Sequence, residues 1–358
     1  MEPQHYKYIN ITRGIAILMV ICVHVGQHVL GFNGVLKKIS SYGQMGVQLF
    51  FIASALTLCL SWRAREGSNN YCHFIIRRFF RIAPMYLLGG AFYFLMARID
   101  LVYLNSGFAA NFKYNLLNVT SNIFLVHGFI REANNNVVPG GWSIGAEFAF
   151  YLIFPALAAA FFKGWRKSVI FISFSLSICW VSYVAISGQP YIINSFEYYN
   201  PLSQLIVFSF GFILYGMDVN KLSVNKLTLL LIPIMLLAFS FYLFINFRSG
   251  VIVWINLTAV SLAFCCIIIF LGKFSSNLGF LNNIGVVSFS MYINHFFIVW
   301  FIVPFITRET SAYIDGSVNY MIMLMLTVSS SYVMAKWTYE NIEKRFINFS
   351  KVVIEKIK

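Results

Sequence analysis

Long apolar runs separated by short polar stretches organise this chain. Ten of them approach or exceed the length of a bilayer crossing: residues 8–30, 44–61, 75–97, 142–163, 168–187, 203–217, 226–246, 252–271, 284–306 and 317–338. About 20 apolar residues in a helix cross the ~30 Å hydrocarbon layer. Lipid offers no hydrogen bonds, so each crossing segment must satisfy its own backbone as a helix. The pattern therefore predicts an all-α polytopic membrane protein with about ten transmembrane helices. The run 203–217 is the shortest of the set. The stretch 116–131 begins apolar but holds Asn118, Asn122 and His127. It is expected to lie at the interface or to re-enter rather than to cross. The first run lacks a short apolar core followed by a small-x-small cleavage site, so it reads as a retained helix, not a signal peptide.

Composition agrees with the pattern. Hydrophobic residues make up 59% of the chain, aromatics 18% and charged residues only 11%, against about 25% charged in soluble domains. The mean hydropathy is +0.75. A soluble enzyme could not cover its surface with so few charges, and a disordered chain would not be so apolar. The net charge of +14 comes from 26 Lys/Arg against 12 Asp/Glu. On a soluble protein it would suggest nucleic acid. Here the basic residues sit between apolar runs and point to the membrane instead. With both termini in the cytoplasm, 19 of the 26 cations fall inside and 7 outside, as the positive-inside rule asks. Residues 1–340 are read as one membrane domain and 341–358 as a short basic cytoplasmic tail. None of the six cysteines forms a CxxC pair. All but Cys72 lie in apolar runs and read as small buried hydrophobes. No zinc-ligand spacing occurs, so no metal is expected. The outer loop 188–202 holds Tyr191, Tyr198 and Tyr199, either an interfacial aromatic belt or a stacking floor for a sugar.

An ionisable side chain inside a span is costly and marks function by default. Four spans hold such groups. In the first, Arg13 and His24 are eleven residues apart, close to three helical turns, so they share a face about 16 Å apart along the axis. The third opens with Arg77-Arg78-Phe79-Phe80-Arg81, whose i, i+3 and i+4 spacings let the guanidiniums converge. Arg binds phosphate bidentately, which suits a phosphorylated ligand at the cytoplasmic mouth. The fourth opens Gly140-Gly141-Trp142-Ser143 and continues to Glu147. Ser143 and Glu147 share a face, about a turn below the outer surface. Glu147 needs a cation, a proton or a partner to orient there. The ninth run carries Ser288, Ser290, Tyr292 and His295. His295 is about as deep as His24. Each of these groups also has a purely structural reading: headgroup anchors for the arginines, an ion pair for Glu147, satisfied interhelical bonds for the histidines.

Taken together, these stretches resemble the acyltransferase-3 family of integral-membrane acyltransferases over nearly the whole chain. Arg13-Gly14-Ile15-Ala16 running to His24 is similar to the family's first-span signature, an Arg and a His with ten residues between. Gly46-Val47-Gln48-Leu49-Phe50-Phe51-Ile52-Ala53-Ser54 resembles its second-span stretch. Arg78-Phe79-Phe80-Arg81 matches its Arg-x-x-Arg element, Trp142-Ser143-Ile144 through Glu147 its Trp-Ser-Leu/Ile-x-x-Glu element, and Tyr292 with His295 its Tyr-x-x-His element. Two positions depart: Asn10 stands where members often have Asp, and Ala55 where they often have Gly. Some members add a soluble esterase-like domain, for which the residues after 340 are too few.

The resemblance implies transfer of an acyl group, usually acetyl, from cytoplasmic acetyl-CoA to a hydroxyl of an envelope carbohydrate. O-antigen of lipopolysaccharide, capsule and exopolysaccharide are the expected acceptors, lipid-linked ones among them, and a bacterial inner membrane the expected location. Arg78 and Arg81, with Arg77 and Arg13, would hold the CoA phosphates. His24 would act as general base or carry the acetyl group. Ser143 and Glu147 would orient the acceptor or the imidazole, and Tyr292 or His295 would donate to the oxyanion. The competing reading is a secondary transporter of a small anionic metabolite or glycan, since His, Glu and Arg also build proton relays.

Overall fold

The computed structural model describes residues 7–65, 70–104, 107–217, 224–274 and 278–357. Lys221 and Lys358 of the charge count lie outside the described residues. The helices are α1 (Lys7–His28), α2 (Gly34–Tyr42), α3 (Gly46–Arg63), α4 (Tyr71–Ile99), α5 (Leu116–Ile123), α6 (Gly141–Phe162), α7 (Arg166–Ile186), α8 (Phe196–Tyr199), α9 (Pro201–Gly216), α10 (Lys226–Asn246), α11 (Val251–Phe274), α12 (Gly279–Val286), α13 (Ser288–Phe297), α14 (Val303–Thr310), α15 (Gly316–Thr338) and α16 (Lys344–Ile357). Among the described residues, nine helical stretches are long and apolar enough to cross a membrane. The expected span at 203–217 forms α9, whose 16 residues fall below that length. Large apolar side chains stand exposed on the long helices, Phe171 at 71% and Met325 at 66% for example. Water would not tolerate so many; lipid requires them.

The stretch 116–131 does not cross. It holds the eight residues of α5 and a single 3-10 turn, His127–Phe129. Its amphipathicity is inverted: Asn118, Asn122 and His127 are buried, while Leu116 and Phe124 are exposed. That suits a segment with protein on one side and hydrocarbon on the other. The cysteines depart in part from expectation. Cys59 and Cys265 are buried, but Cys179 on α7 is exposed like Cys72.

The chain divides into two compact units, Met1–Leu58 with Val207–Trp337, and Cys59–Ile206 with Thr338–Lys358. In the first unit α1 packs on α2, α11, α12 and α13. Glycines permit the closest approach: a Cβ at Gly14 would strike the Leu281 carbonyl, and one at Gly285 the Asn10 carbonyl. Small residues at helix crossings are how membrane helices gain contact without a hydrophobic driving force. Tyr42 donates to Ser240 Oγ at 2.6 Å, and Ser240 to Asn256 Oδ1, a buried polar chain across α2, α10 and α11.

In the second unit α4 packs on α5, α6 and α16. The Asn70 side chain accepts from His73 N and caps α4. Phe74 stacks on Phe154 at 5.3 Å, with Trp62 edge-on to both. The expected tail is a helix: α16 lies against α4, Phe80 meeting Phe346 and Phe349.

Candidate active site

In the first unit the two histidines expected at similar depth meet. The His24 and His295 ring centroids are 5.5 Å apart, and Phe296 covers both, at 4.6 and 4.0 Å. His24 is half-buried; His295 is fully buried, at 0% exposure. Each ring is oriented by an acceptor near it in sequence. His24 Nδ1 lies 3.0 Å from Gln27 Oε1, and His295 Nδ1 lies 3.1 Å from the Met291 carbonyl. Both oxygens only accept, so in the neutral rings both Nδ1 atoms carry the proton and both Nε2 atoms present a lone pair. A neutral His295 therefore cannot donate from Nε2 to an oxyanion. Tyr292, its ring 5.8 Å from that of His295, has the hydroxyl for that role.

The backbone around His24 is bolted down. Ser40 Oγ (2.8 Å) and Tyr320 OH (3.4 Å) both donate to the Cys22 carbonyl, and Lys37 donates to the Gly26 carbonyl. One turn beyond, His28 packs edge-on against Trp300 at 4.5 Å. Lower on α1, Arg13 donates to Thr57 Oγ1 at 3.0 Å.

In the second unit Glu147 accepts a hydrogen bond from Tyr151. The Tyr151 ring forms one side of a box around Arg78: its Cζ lies 5.7 Å from Tyr151 and 5.5 Å from Phe74. Such contacts are worth about 2 kcal/mol or more when desolvated. Glu147 also attracts the Arg78 guanidinium. The pattern alone puts Arg78 at the inner mouth and Glu147 near the outer surface; in the fold Tyr151 joins them. Arg78 is only 9% exposed, while Arg77 and Arg81 are half-buried. Ser143 Oγ turns back to the Gly140 carbonyl at 3.1 Å, where left-handed Gly140 (φ 71°) starts α6.

The loop before α6 is pinned by His127. Its Nε2 is 2.9 Å from the Gly141 carbonyl and 3.2 Å from Tyr86 OH. Tyr86 donates to Asn122 Oδ1 at 2.6 Å. Gly128 and Gly145 touch so closely that a Cβ on either would sit 2.7 Å from the other's backbone. Burial holds His127 down to about 4 from 6.5, against the opposing pull of its bond to the Gly141 carbonyl. The unfolded ring takes a proton near pH 6.5 and the folded ring only near 4. Stability from this group is thus complete above pH 6.5 and is lost on acidification toward 4, at up to about 1.4 kcal/mol per pH unit. Melting of the purified protein between pH 7 and 4.5 should show that loss. His127→Gln keeps a donor near the Nε2 position and should flatten it; an unchanged pH slope in that variant would remove His127 from the account.

The outer tyrosines are not a uniform belt or floor. Tyr191 and Tyr198 are buried, and Tyr191 hydrogen-bonds Ser203. Only Tyr199 stays half-open, stacked on Trp142 at 4.1 Å. Glu197 pairs with Arg131 and lends its carbonyl to Trp180 Nε1, so the loop is a packed structural element.

The family model described as an acyltransferase domain, that of acyltransferase-3, matches residues 6–336. The chain belongs to the acyltransferase-3 family. No curated protein and no solved structure matches it. As an acyltransferase-3 protein it is an integral-membrane acyltransferase. Its two departures from the family pattern have local explanations. Asn10 donates from Nδ2 to Asn282 Oδ1 at 3.2 Å, a contact that a carboxylate would make only with the Asn282 amide turned to donate. Ala55 faces Gly211, where a further Cβ would clash; the glycine that lets α3 and α9 approach is on α9 instead. Gln27 and Tyr151 were missed in the sequence, although their i+3 and i+4 spacing from His24 and Glu147 was there to read. His127 carried no such signal, because its partners are the Gly141 carbonyl and Tyr86.

Proposed function

We propose that this acyltransferase moves an acetyl group from cytoplasmic acetyl-CoA to a hydroxyl of an envelope carbohydrate: O-antigen, capsule or exopolysaccharide. The observation that carries the reading is the contact between His24 and His295, two imidazoles inside spanning helices with both Nε2 lone pairs available. Acylation of a hydroxyl needs a base that is neutral near pH 7, and imidazole meets that need. His24, the less buried ring, takes the hydroxyl proton or carries the acetyl group. His295 supports it as a second acceptor, and Tyr292 donates to the developing oxyanion. Arg77 and Arg81 bind the CoA phosphates, while Arg78, boxed by aromatic rings, keeps Glu147 and Tyr151 in register. The enzyme sits in a bacterial inner membrane with both termini in the cytoplasm, as the distribution of Lys and Arg suggests.

Mass spectrometry of envelope polysaccharides from cells with and without the protein tests the reading. One acetyl increment per repeat, present only with the active protein, supports it. A pH-driven flux of a small anion that is indifferent to acetyl-CoA would replace it with transport. The arginine assignment has its own test. Arg81→Ala should raise the KM for acetyl-CoA about tenfold or more, the worth of one charge-assisted phosphate contact. Arg65→Ala, at an exposed position outside the motif, should leave it within about twofold. Equal effects would reduce Arg81 to an anchor.

A further inference from the structure

Helix α16 has three different sides, and one of them is buried. Ser350 and Ile354 are buried, on the side that lies against α4. Phe346, Phe349, Val353 and Ile357 recur at i, i+3, i+7 and i+11 and form a second stripe. Phe346, Phe349 and Ile357 of that stripe are exposed, as is neighbouring Val352, although the two phenylalanines reach Phe80. Lys344, Asn348, Lys351 and Glu355 repeat at i, i+4, i+7 and i+11 on the opposite side, with Arg345 and Lys356 flanking; all are exposed. Four cations thus face one carboxylate within the helix. A soluble protein would not leave two phenylalanines and an isoleucine open beside a row of lysines. An interfacial helix does: its apolar stripe dips below the headgroups and its cations reach anionic phosphates at their level.

We propose that α16 is an anionic-lipid recognition element at the level of the headgroup layer, with Lys344, Arg345, Lys351 and Lys356 on lipid phosphates and Phe346, Phe349 and Ile357 in the acyl boundary. Each cation near such a surface adds attraction that falls off within a Debye length. The occupant is a bilayer surface and not a soluble phosphate, because an isolated anion would leave the apolar stripe in water. Neither the direction of the chain across the membrane nor the acyl chemistry enters this assignment. It does give lipid charge a mechanical route to α4, the helix of Arg77, Arg78 and Arg81, through Phe80.

Hydrogen exchange of the full-length protein in nanodiscs tests it, comparing phosphatidylcholine alone with phosphatidylcholine containing 30 mol% phosphatidylglycerol. Amides of α16 should exchange at least about tenfold more slowly in the anionic discs. Added 0.5 M NaCl should reverse most of that, and the variant carrying Lys344→Gln, Arg345→Gln, Lys351→Gln and Lys356→Gln should show no lipid dependence while α4 and α6 exchange as in the parent. Equal exchange in the two discs overturns the proposal. So does slowing that is the same in the quadruple variant, which would mean apolar insertion alone. Equal protection by inorganic phosphate in neutral discs also overturns it, in favour of a free-anion site.

Discussion

Replacement of His24 by alanine should reduce acetyl transfer by at least about 10³-fold while the protein remains inserted and folded. General base catalysis contributes about 10²–10⁴-fold, and loss of a covalent carrier would cost more. His24 is half-buried on a helix fixed on both sides of it, by Ser40 and Tyr320 at the Cys22 carbonyl and by Lys37 at the Gly26 carbonyl. Truncating the ring should therefore leave α1 where it is. The measurement is acetylation of isolated envelope polysaccharide by membranes supplied with labelled acetyl-CoA, alongside the melting midpoint of the purified variant. Normal acetylation in a folded variant would end the assignment of His24. Gln27→Ala provides the graded companion. It frees the ring without removing it, and the loss should be about tenfold, the worth of one orienting hydrogen bond.

The second large effect is expected at Glu147. Glu147→Gln keeps an acceptor for Tyr151 but removes the carboxylate charge on the other side of Tyr151 from Arg78. Arg78 meets Glu147 across the Tyr151 ring and not in a direct ion pair, so the cost should be about 1 kcal/mol. Activity should fall by about 10²-fold or more as α4 and α6 lose register. The double variant Arg78→Met with Glu147→Gln should regain most of the stability, since no unbalanced charge is left, and none of the activity. A double-mutant cycle on melting measures the coupling directly. Additive losses would show that Tyr151 merely lies between two independent groups.

These two sites also show how far the sequence could be read. Depth along a helix follows from counting residues, so His24 and His295 were correctly set at one level, and the contact at 5.5 Å agrees. Counting gave the wrong relation for Arg78 and Glu147. It measures distance from a helix end and says nothing of a neighbouring helix's vertical offset. At that offset Phe74 stacks on Phe154, a contact that no periodicity records. The short run 203–217 was legible as a helix, and the 16 residues of α9 fall below the length that counts as a crossing.

The sequence by itself determined that this chain folds as a bundle of apolar helices, because lipid leaves the backbone no other way to satisfy its hydrogen bonds. It also marked His24, His295, Arg78 and Glu147 as groups in need of partners, because each is conspicuous against an apolar run. The tertiary structure alone decided what each of those groups faces. It set the tautomers of the two imidazoles through the Met291 carbonyl and Gln27, boxed Arg78 between two rings, and turned the basic tail into a helix with an open apolar stripe. Gln27 apart, these partners come from segments far apart in the chain or from backbone atoms common to every residue, so they leave no mark on the order of side chains.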